Sequence, residues 1–332
     1  MEYFVSKVLA AVNEYRMFRQ GTAVMVALSG GADSVSLLGI LKELESELGI
    51  SVCACHLNHG LRGEESDSDE QFCVELCSNL DVPLEVGRVN VGSMLSPHES
   101  VEQAARRIRY EFFSDSLEKY RAKTLATAHT ASDNAETVLF NLTRGTGIAG
   151  LCGIPPVRML GDNRVVRPLI YCTRCDVEER LAALSQNYVT DRTNLSDEYS
   201  RNKIRLNVIP ELENINPSLQ TVISRMSGIL REDNAFLEKH SDIALEKARK
   251  GRGWDAAMLS QLEAPIKARA VRKILESGGI EPSALRINTA VSLLSQRSTR
   301  YNPCKDKFFT IRKGLCYIEE IKQVFGGFNE KD

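Results

Sequence analysis

Ser29-Gly30-Gly31-Ala32-Asp33-Ser34 joins an apolar run, residues 23–28, to the helical pattern Val35-Ser36-Leu37-Leu38-Gly39-Ile40-Leu41. A strand, a glycine turn and a helix start bring free backbone N–H groups and the positive end of a helix dipole to one point, which makes an anion site. Gly30 and Gly31 permit positive φ and close approach of the backbone to a phosphate. Ser29 and Ser34 add hydroxyl donors, and Asp33 has the chemistry to hold a divalent cation or a ribose. No lysine lies between Gly21 and Ile40, so the Gly-Lys-Ser/Thr ending of a Walker A loop is missing. The three spaced glycines of a dinucleotide fold are missing too. The turn predicts a bound nucleotide held by neither of those two devices.

More chemistry-bearing residues follow in clusters. His56 and His59 lie in His56-Leu57-Asn58-His59-Gly60-Leu61-Arg62. Arg106, Arg107 and Arg109 make a basic helix face, and Asp133, Glu136 and Thr137 share a face through i, i+3, i+4 spacing. Each has a plainer reading: histidines packed at a strand end, a solvated arginine face, Asp133 as a helix N-cap with Glu136 completing a capping box.

The elements that must position these groups are legible as periodicities. An amphipathic helix is expected over residues 3–18, and strands over 23–28, 50–57, 83–91 and 123–128. Helices are expected over 34–48, 66–80, 101–120 and 133–143. Strands separated by helices imply an α/β, doubly wound parallel sheet, whose ligands sit beyond the carboxyl ends of the strands. The clusters fall at those ends. The second half reads as a helix over 174–186, then a long connecting helix within 212–250 starting near Pro217 and ended by Gly251-Arg252-Gly253. A smaller, mostly helical C-terminal domain follows, with helices over 254–278 and 283–296 and a hairpin from 307–311 and 315–320.

The 332 residues favour two domains, and Asp, Lys, Arg or Gly interrupts every apolar stretch, so no membrane span is expected. Met1-Glu2-Tyr3-Phe4-Val5-Ser6-Lys7 lacks the basic start and apolar core of a signal peptide. Nine scattered cysteines fit a reducing compartment, so a cytoplasmic location is expected. The net charge of −2 hides an asymmetry: residues 225–313 hold 18 Lys/Arg against 10 Asp/Glu, and residues 1–224 hold 22 against 30. Beside a nucleotide-using domain, the basic part suits a polyanion, with Arg269, Arg272, Lys273, Arg297, Arg300 and Lys305 as candidate phosphate contacts.

Ser29-Gly30-Gly31-Ala32-Asp33-Ser34 resembles the pyrophosphate loop of the N-type ATP pyrophosphatases, and the ordered series of motifs resembles the tRNA(Ile)-lysidine synthetase family. The series continues with His56-Leu57-Asn58-His59-Gly60-Leu61-Arg62, Glu102-Gln103-Ala104-Ala105-Arg106-Arg107-Ile108-Arg109-Tyr110 and Ala128-His129-Thr130-Ala131-Ser132-Asp133-Asn134-Ala135-Glu136-Thr137. Arg144-Gly145-Thr146-Gly147, Gly150-Leu151-Cys152-Gly153-Ile154, Arg167-Pro168-Leu169, Asp191-Arg192-Thr193-Asn194 and Arg201-Asn202-Lys203-Ile204-Arg205 complete it. Where the family pairs two aspartates this chain has Ser132-Asp133, and Asn134 takes the place of a Gln. Some members of the family carry a further C-terminal domain.

The resemblance implies an adenine nucleotide α-hydrolase-like fold, a catalytic domain over 1–212, a helical linker over 213–250 and a basic tRNA-binding domain over 251–325. It implies ATP and Mg²⁺ as cofactors, and free L-lysine, a CAU-anticodon isoleucine tRNA and a second copy of the chain in a homodimer as partners. ATP activates the C2 carbonyl oxygen of the wobble cytidine as an adenylate, and the lysine ε-amino group then displaces AMP. Asp33, Arg106, Asp133 and Glu136 are the implied catalytic groups, with Asp33 also the metal ligand. Ser29, Gly30, Gly31, Ala32, Asp33, Ser34, Ala54, His56, Arg109 and Arg144 are the implied nucleotide contacts.

Two alternatives stay open. Cys172-Thr173-Arg174-Cys175 has the spacing of metal or redox pairs, which a tRNA cytidine sulfurtransferase of the same superfamily would use. A non-catalytic ATP-binding regulatory protein would need the nucleotide site alone.

Overall fold

The computed structural model describes residues 2–60, 63–97, 99–190 and 200–320. The chain forms two compact units, Met1–Leu230 and Arg231–Asp332. Leu61, Arg62 and the Asp191-Arg192-Thr193-Asn194 motif lie outside the described residues.

In the first unit, β1 (Thr22–Ala27), β2 (Ile50–Asn58), β3 (Leu84–Arg88), β4 (Thr124–Ala126), β5 (Val157–Leu160) and β6 (Asn163–Val166) form one sheet in the order β3-β2-β1-β4-β6-β5. All pairings are parallel except β5 on β6. The helices are α1 (Glu2–Glu14), α2 (Ala32–Glu43), α3 (Glu45–Leu48), α4 (Glu64–Asn79), α5 (Val101–Lys119), α6 (Ala131–Thr143), α7 (Ile148–Leu151) and α8 (Arg174–Ala183). They are followed by α9 (Ser200–Lys203), a π-helical turn over Ile204–Val208, α10 (Ile209–Ile215) and the start of α11 (Leu219–Ala248).

Alternation along the strands sends side chains to two cores. Val24, Val26, Leu28, Val52, Ala54, Ala126 and Val166 enter the one formed with α1, α2, α4 and α8. Met25, Cys53, Cys55, Leu125 and Val165 enter the other, against Phe113 and Leu117 of α5. Leu37, Leu38 and Leu41 of α2 are fully buried. Each such side chain contributes about 1.5–3 kcal/mol, so packing rather than propensity holds this helix behind the glycine turn. The doubly wound α/β expectation holds, with an antiparallel edge strand that was not expected.

The chain runs outward from β1 to β2 and β3, then returns to place β4 on the other side of β1. That reversal opens a crevice at the carboxyl ends of β1 and β4, where ligands of open α/β sheets bind.

In the second unit, β7 (Arg249–Lys250), β8 (Gly253–Asp255), β9 (Thr299–Cys304), β10 (Lys307–Arg312) and β11 (Leu315–Glu320) form an antiparallel sheet in the order β7-β8-β11-β10-β9. It shares a core with α12 (Ala256–Ser260), α13 (Ala264–Ser277) and α14 (Ala284–Leu293), centred on Val271, Ile274, Leu275, Phe309 and Ile311. The expected hairpin is present as β10 and β11, and three further strands join it. The expected helix over 254–278 is broken: Trp254 lies in β8, and Pro265 restarts the helix in its first turn. A proline deeper in a continuous helix would lose a hydrogen bond and clash with the preceding turn.

Candidate active site at the carboxyl ends of the strands

The glycine turn is braced from within. Ser34 Oγ donates to Gly31 O at 2.9 Å and accepts from Ser29 N–H at 3.1 Å, and the two serine hydroxyls lie 3.1 Å apart. Gly30 sits at φ +86°, and Val189 N–H donates to its carbonyl at 2.9 Å. Gly31 is the N-cap of α2, makes no side-chain cap bond and forms an isolated parallel bridge with Val189. The glycine turn expected at residues 29–34 is present and joins β1 to α2.

Asp33, in the first turn of α2, accepts from Arg174 Nη1 at 3.0 Å through Oδ2. Its Oδ1 is buried and has no hydrogen-bond partner among the described residues. Burial pushes this carboxyl up to about 6; Arg174 and Arg205 oppose the rise, while Asp133 and Glu178 add to it. A half-buried carboxylate with one oxygen unused fits a divalent cation.

Across the crevice, α6 opens with Thr130 as N-cap and Asp133 at N3. Asp133 Oδ2 accepts from Thr130 N–H at 2.8 Å and Thr130 Oγ1–H at 3.0 Å. This corrects the expectation of Asp133 as N-cap: the helix starts two residues earlier, and Glu136 stands clear of the capping box, one turn further on. Glu136 is buried and accepts from Arg205 Nε at 2.5 Å and Nη2 at 3.1 Å. Burial raises its carboxyl and Arg205 draws it back. Arg205 Nη2 also lies 3.5 Å from Asp133 Oδ1, so one guanidinium spans both acids.

Ser132 is not a vacancy. Its hydroxyl donates to Gln220 Oε1 and accepts from Arg174 N–H at 2.9 Å, which fixes the start of α8 beside the crevice. Asn134 accepts from Ile154 N–H at 2.8 Å and donates to Ser227 Oγ at 3.4 Å, a buried structural role.

His56 is buried, its Nδ1 donating to Leu28 O at 2.9 Å and its Nε2 left without a partner among the described residues. Ala54 is fully buried in mid-strand, and its N–H donates to Pro83 O at 2.8 Å. Burial, Arg109 and His56 push His59 down to about 4. Arg106 and Arg109 lie one turn apart on α5, and neither makes an ion pair among the described residues. Arg107 is tied to Glu99 and Glu111. Arg144 caps the far end of α6, about 20 Å of helix from Asp133's end, and its guanidinium lies over Phe140.

Sequence reasoning assigned no site role to Arg174 or Arg205. Arg205 carried a signal, as the last residue of Arg201-Asn202-Lys203-Ile204-Arg205. Arg174 carried none beyond its place between two cysteines. Those cysteines behave as isolated thiols: Cys172 is fully buried and its thiol is pushed up to about 12, while Cys175 is exposed and donates to Glu179. No group of three potential metal ligands occurs among the described residues.

In the second unit, Arg269, Arg272 and Lys273 all converge on Glu238. Arg300 pairs with Glu319. These candidate phosphate contacts are engaged internally. No helix among the described residues is long and apolar enough to cross a membrane.

A sheet of this order, with an anion cradle after β1 and carboxylates after β4, defines an ATP-binding PP-loop domain. The profile of the PP-loop domain family matches residues 2–212, and the chain belongs to that family. Its curated relatives are tRNA(Ile)-lysidine synthases. It is 42% identical to that of Clostridium perfringens over 235 residues, 70% of this chain and 50% of the relative. It is 43% identical to that of Parabacteroides distasonis over 240 residues, 72% and 52% of the two chains. The chain spans about half the length of these relatives. A U34-tRNA thiolase from Methanococcus maripaludis, solved with its 4Fe–4S cluster, shares the fold at TM-score 0.58 and 20% identity, over 70% of this chain and 80% of that one.

Proposed function

We propose that this chain is an ATP-dependent ligase that joins free L-lysine to C2 of the wobble cytidine in a CAU-anticodon isoleucine tRNA, acting in the cytoplasm. The observation that carries the reading is the pair of acids across the switch point. Asp133 lies close enough to Asp33 to raise its carboxyl, beside the start of α2.

In this reading Ser29, Gly30, Gly31, Ala32 and Ser34 hold the departing pyrophosphate through N–H and hydroxyl donors aimed at its charge. His56, with Ala54 two residues before it on the same strand face, borders the adenine. Asp33 would hold Mg²⁺, which when bound supplies positive charge to the phosphates. Arg106 stabilises the charge that develops on the activated cytidine oxygen, and Arg109 neutralises phosphate. Asp133 and Glu136 grip the lysine ammonium, and one of them takes the proton whose loss frees the amine. Arg205 holds these two acids in place when no ammonium is present.

The sulfurtransferase reading needs a reactive thiolate, and a Cys172 thiol pushed up to about 12 by burial works against it. Incubating the protein with ATP, Mg²⁺, lysine and the tRNA separates the readings. The ligase releases pyrophosphate once ATP and tRNA are present, and releases AMP and turns over only when lysine is added; a sulfurtransferase does not respond to lysine, and a regulatory ATP-binder turns over nothing.

A further inference from the structure

Beyond β4, the carboxyl ends of the sheet carry a second basic cluster. Arg158 on β5 and Arg106 on α5 hold their guanidinium carbons 4.6 Å and 5.2 Å from the centre of the Tyr110 ring. Arg167 directly follows β6 and is 4% exposed; its Nη1 donates to Pro155 O, while its Nε is buried without a partner. Arg158 Nη2 is likewise buried and unpartnered. None of the three arginines makes an ion pair among the described residues.

The three charges act on the same surroundings. All lower His129, which burial and these arginines bring down to about 4, so that it stays neutral and adds no further cation. Burial, together with Arg158 and Arg106, also lowers the Arg167 guanidinium, to about 10, which leaves it charged near neutral pH. A buried cation without a counter-charge is costly, and the half-buried Arg158 and exposed Arg106 add repulsion to Arg167. Tyr110 compensates only in part. Donors held in this way, with two N–H groups unused, call for an oxyanion.

We propose that Arg158 and Arg167, beside Arg106, form a binding site for a backbone phosphodiester of the RNA substrate next to the nucleotide being modified. The proposal rests on the ligase reading and extends it to how the RNA is seated. The site stands at the end of β6, two strands from the cradle after β1, or about 10 Å. That separation suits a nucleotide whose base edge meets the ATP α-phosphate while its own backbone runs past β6. A phosphodiester accepts the forked arginine donors, and a single-stranded anticodon loop leaves it accessible.

Arg158 is the variant to test, because it is less buried than Arg167. Wild-type protein, Arg158→Gln and Arg158→Lys are titrated with an anticodon stem-loop of the isoleucine tRNA at several salt concentrations. The stem-loop is made with its native backbone and with neutral methylphosphonates flanking cytidine 34. Expected for Arg158→Gln is binding roughly tenfold weaker, with a salt slope shallower by about 0.7–0.9, the loss of one phosphate contact. Arg158→Lys recovers part of the loss, and KM for ATP and lysine stays within about twofold. The neutral linkage weakens the wild type and adds nothing to the loss in Arg158→Gln. Unchanged RNA affinity in Arg158→Gln overturns the proposal, as does a raised KM for lysine alone, which would assign the arginines to the amino-acid carboxylate. The two readings fail separately: lysidine formation with Arg158→Gln indistinguishable from wild type sinks only this site. The expected binding pattern without lysidine formation sinks only the ligase.

Discussion

Arg174 Nη1 stands 3.0 Å from Asp33 Oδ2, while Asp33 Oδ1 lies buried with no hydrogen-bond partner among the described residues. The carboxylate is thus half compensated. Its free oxygen is where a divalent cation fits, and its bound oxygen is held by a cation that the chain itself supplies.

Asp33→Ala and Asp133→Ala should each abolish lysidine formation, a loss of at least about 100-fold in kcat, because each removes charge fixed at the reacting groups. Single-turnover assays with saturating ATP and lysine check this. Near-normal turnover in either variant would mean that the acids across the switch point are structural.

The acid limb of activity should fall near pH 6. Burial raises Asp33 to about 6, so the carboxylate that a cation needs is lost as the pH drops through that value and is fully present at pH 8. Arg174 favours the charged form, so Arg174→Ala should move the limb to higher pH. Profiles of kcat/KM for ATP in the two proteins decide it; coincident limbs would separate Arg174 from Asp33.

Glu136→Gln should raise KM for lysine by about tenfold or more, a loss of about 1.4 kcal/mol of binding, and leave KM for ATP near its starting value. Glu136 and Asp133 share one guanidinium, Arg205; in the proposed reaction the lysine ammonium competes for the same oxygens. Equal changes for both substrates would point to a misfolded crevice instead.

How much of this was legible beforehand differs by residue. β1 and the cradle were read because apolar alternation and glycine chemistry are local signals. β5 and β6 were not, since Val157-Arg158-Met159-Leu160 and Asn163-Arg164-Val165-Val166 are short and broken by charge. The start of α6 was misplaced because Thr130, Ser132 and Asp133 are all capable caps, and only the folded backbone selects one. Arg174 and Arg205 find their acids 141 and 69 residues earlier in the chain, a pairing that periodicity cannot carry. β7 and β8 hold two and three residues and are too short to leave a pattern.

Gly30→Ala should destabilise the first unit by roughly 1–2 kcal/mol, the cost of a left-handed backbone in a residue with a Cβ. That Cβ would meet Val189 Cγ2 at 3.3 Å and Cys73 Sγ at 3.4 Å. Urea unfolding with the KM for ATP measured alongside is the check. Unchanged stability would mean that the turn does not depend on glycine.

Replacing both Cys172 and Cys175 with alanine should leave lysidine formation within about threefold of wild type, since neither thiol has a low-pKa setting. Complete loss of activity in a folded double variant would revive sulfur chemistry.

The central claim is tested most directly by mass spectrometry of a CAU-anticodon isoleucine tRNA transcript after incubation with the protein, ATP, Mg²⁺ and lysine. The expected result is a gain on cytidine 34 equal to lysine less one water. An unchanged nucleotide, or one gaining only the difference between sulfur and oxygen with a sulfur donor present, would contradict it.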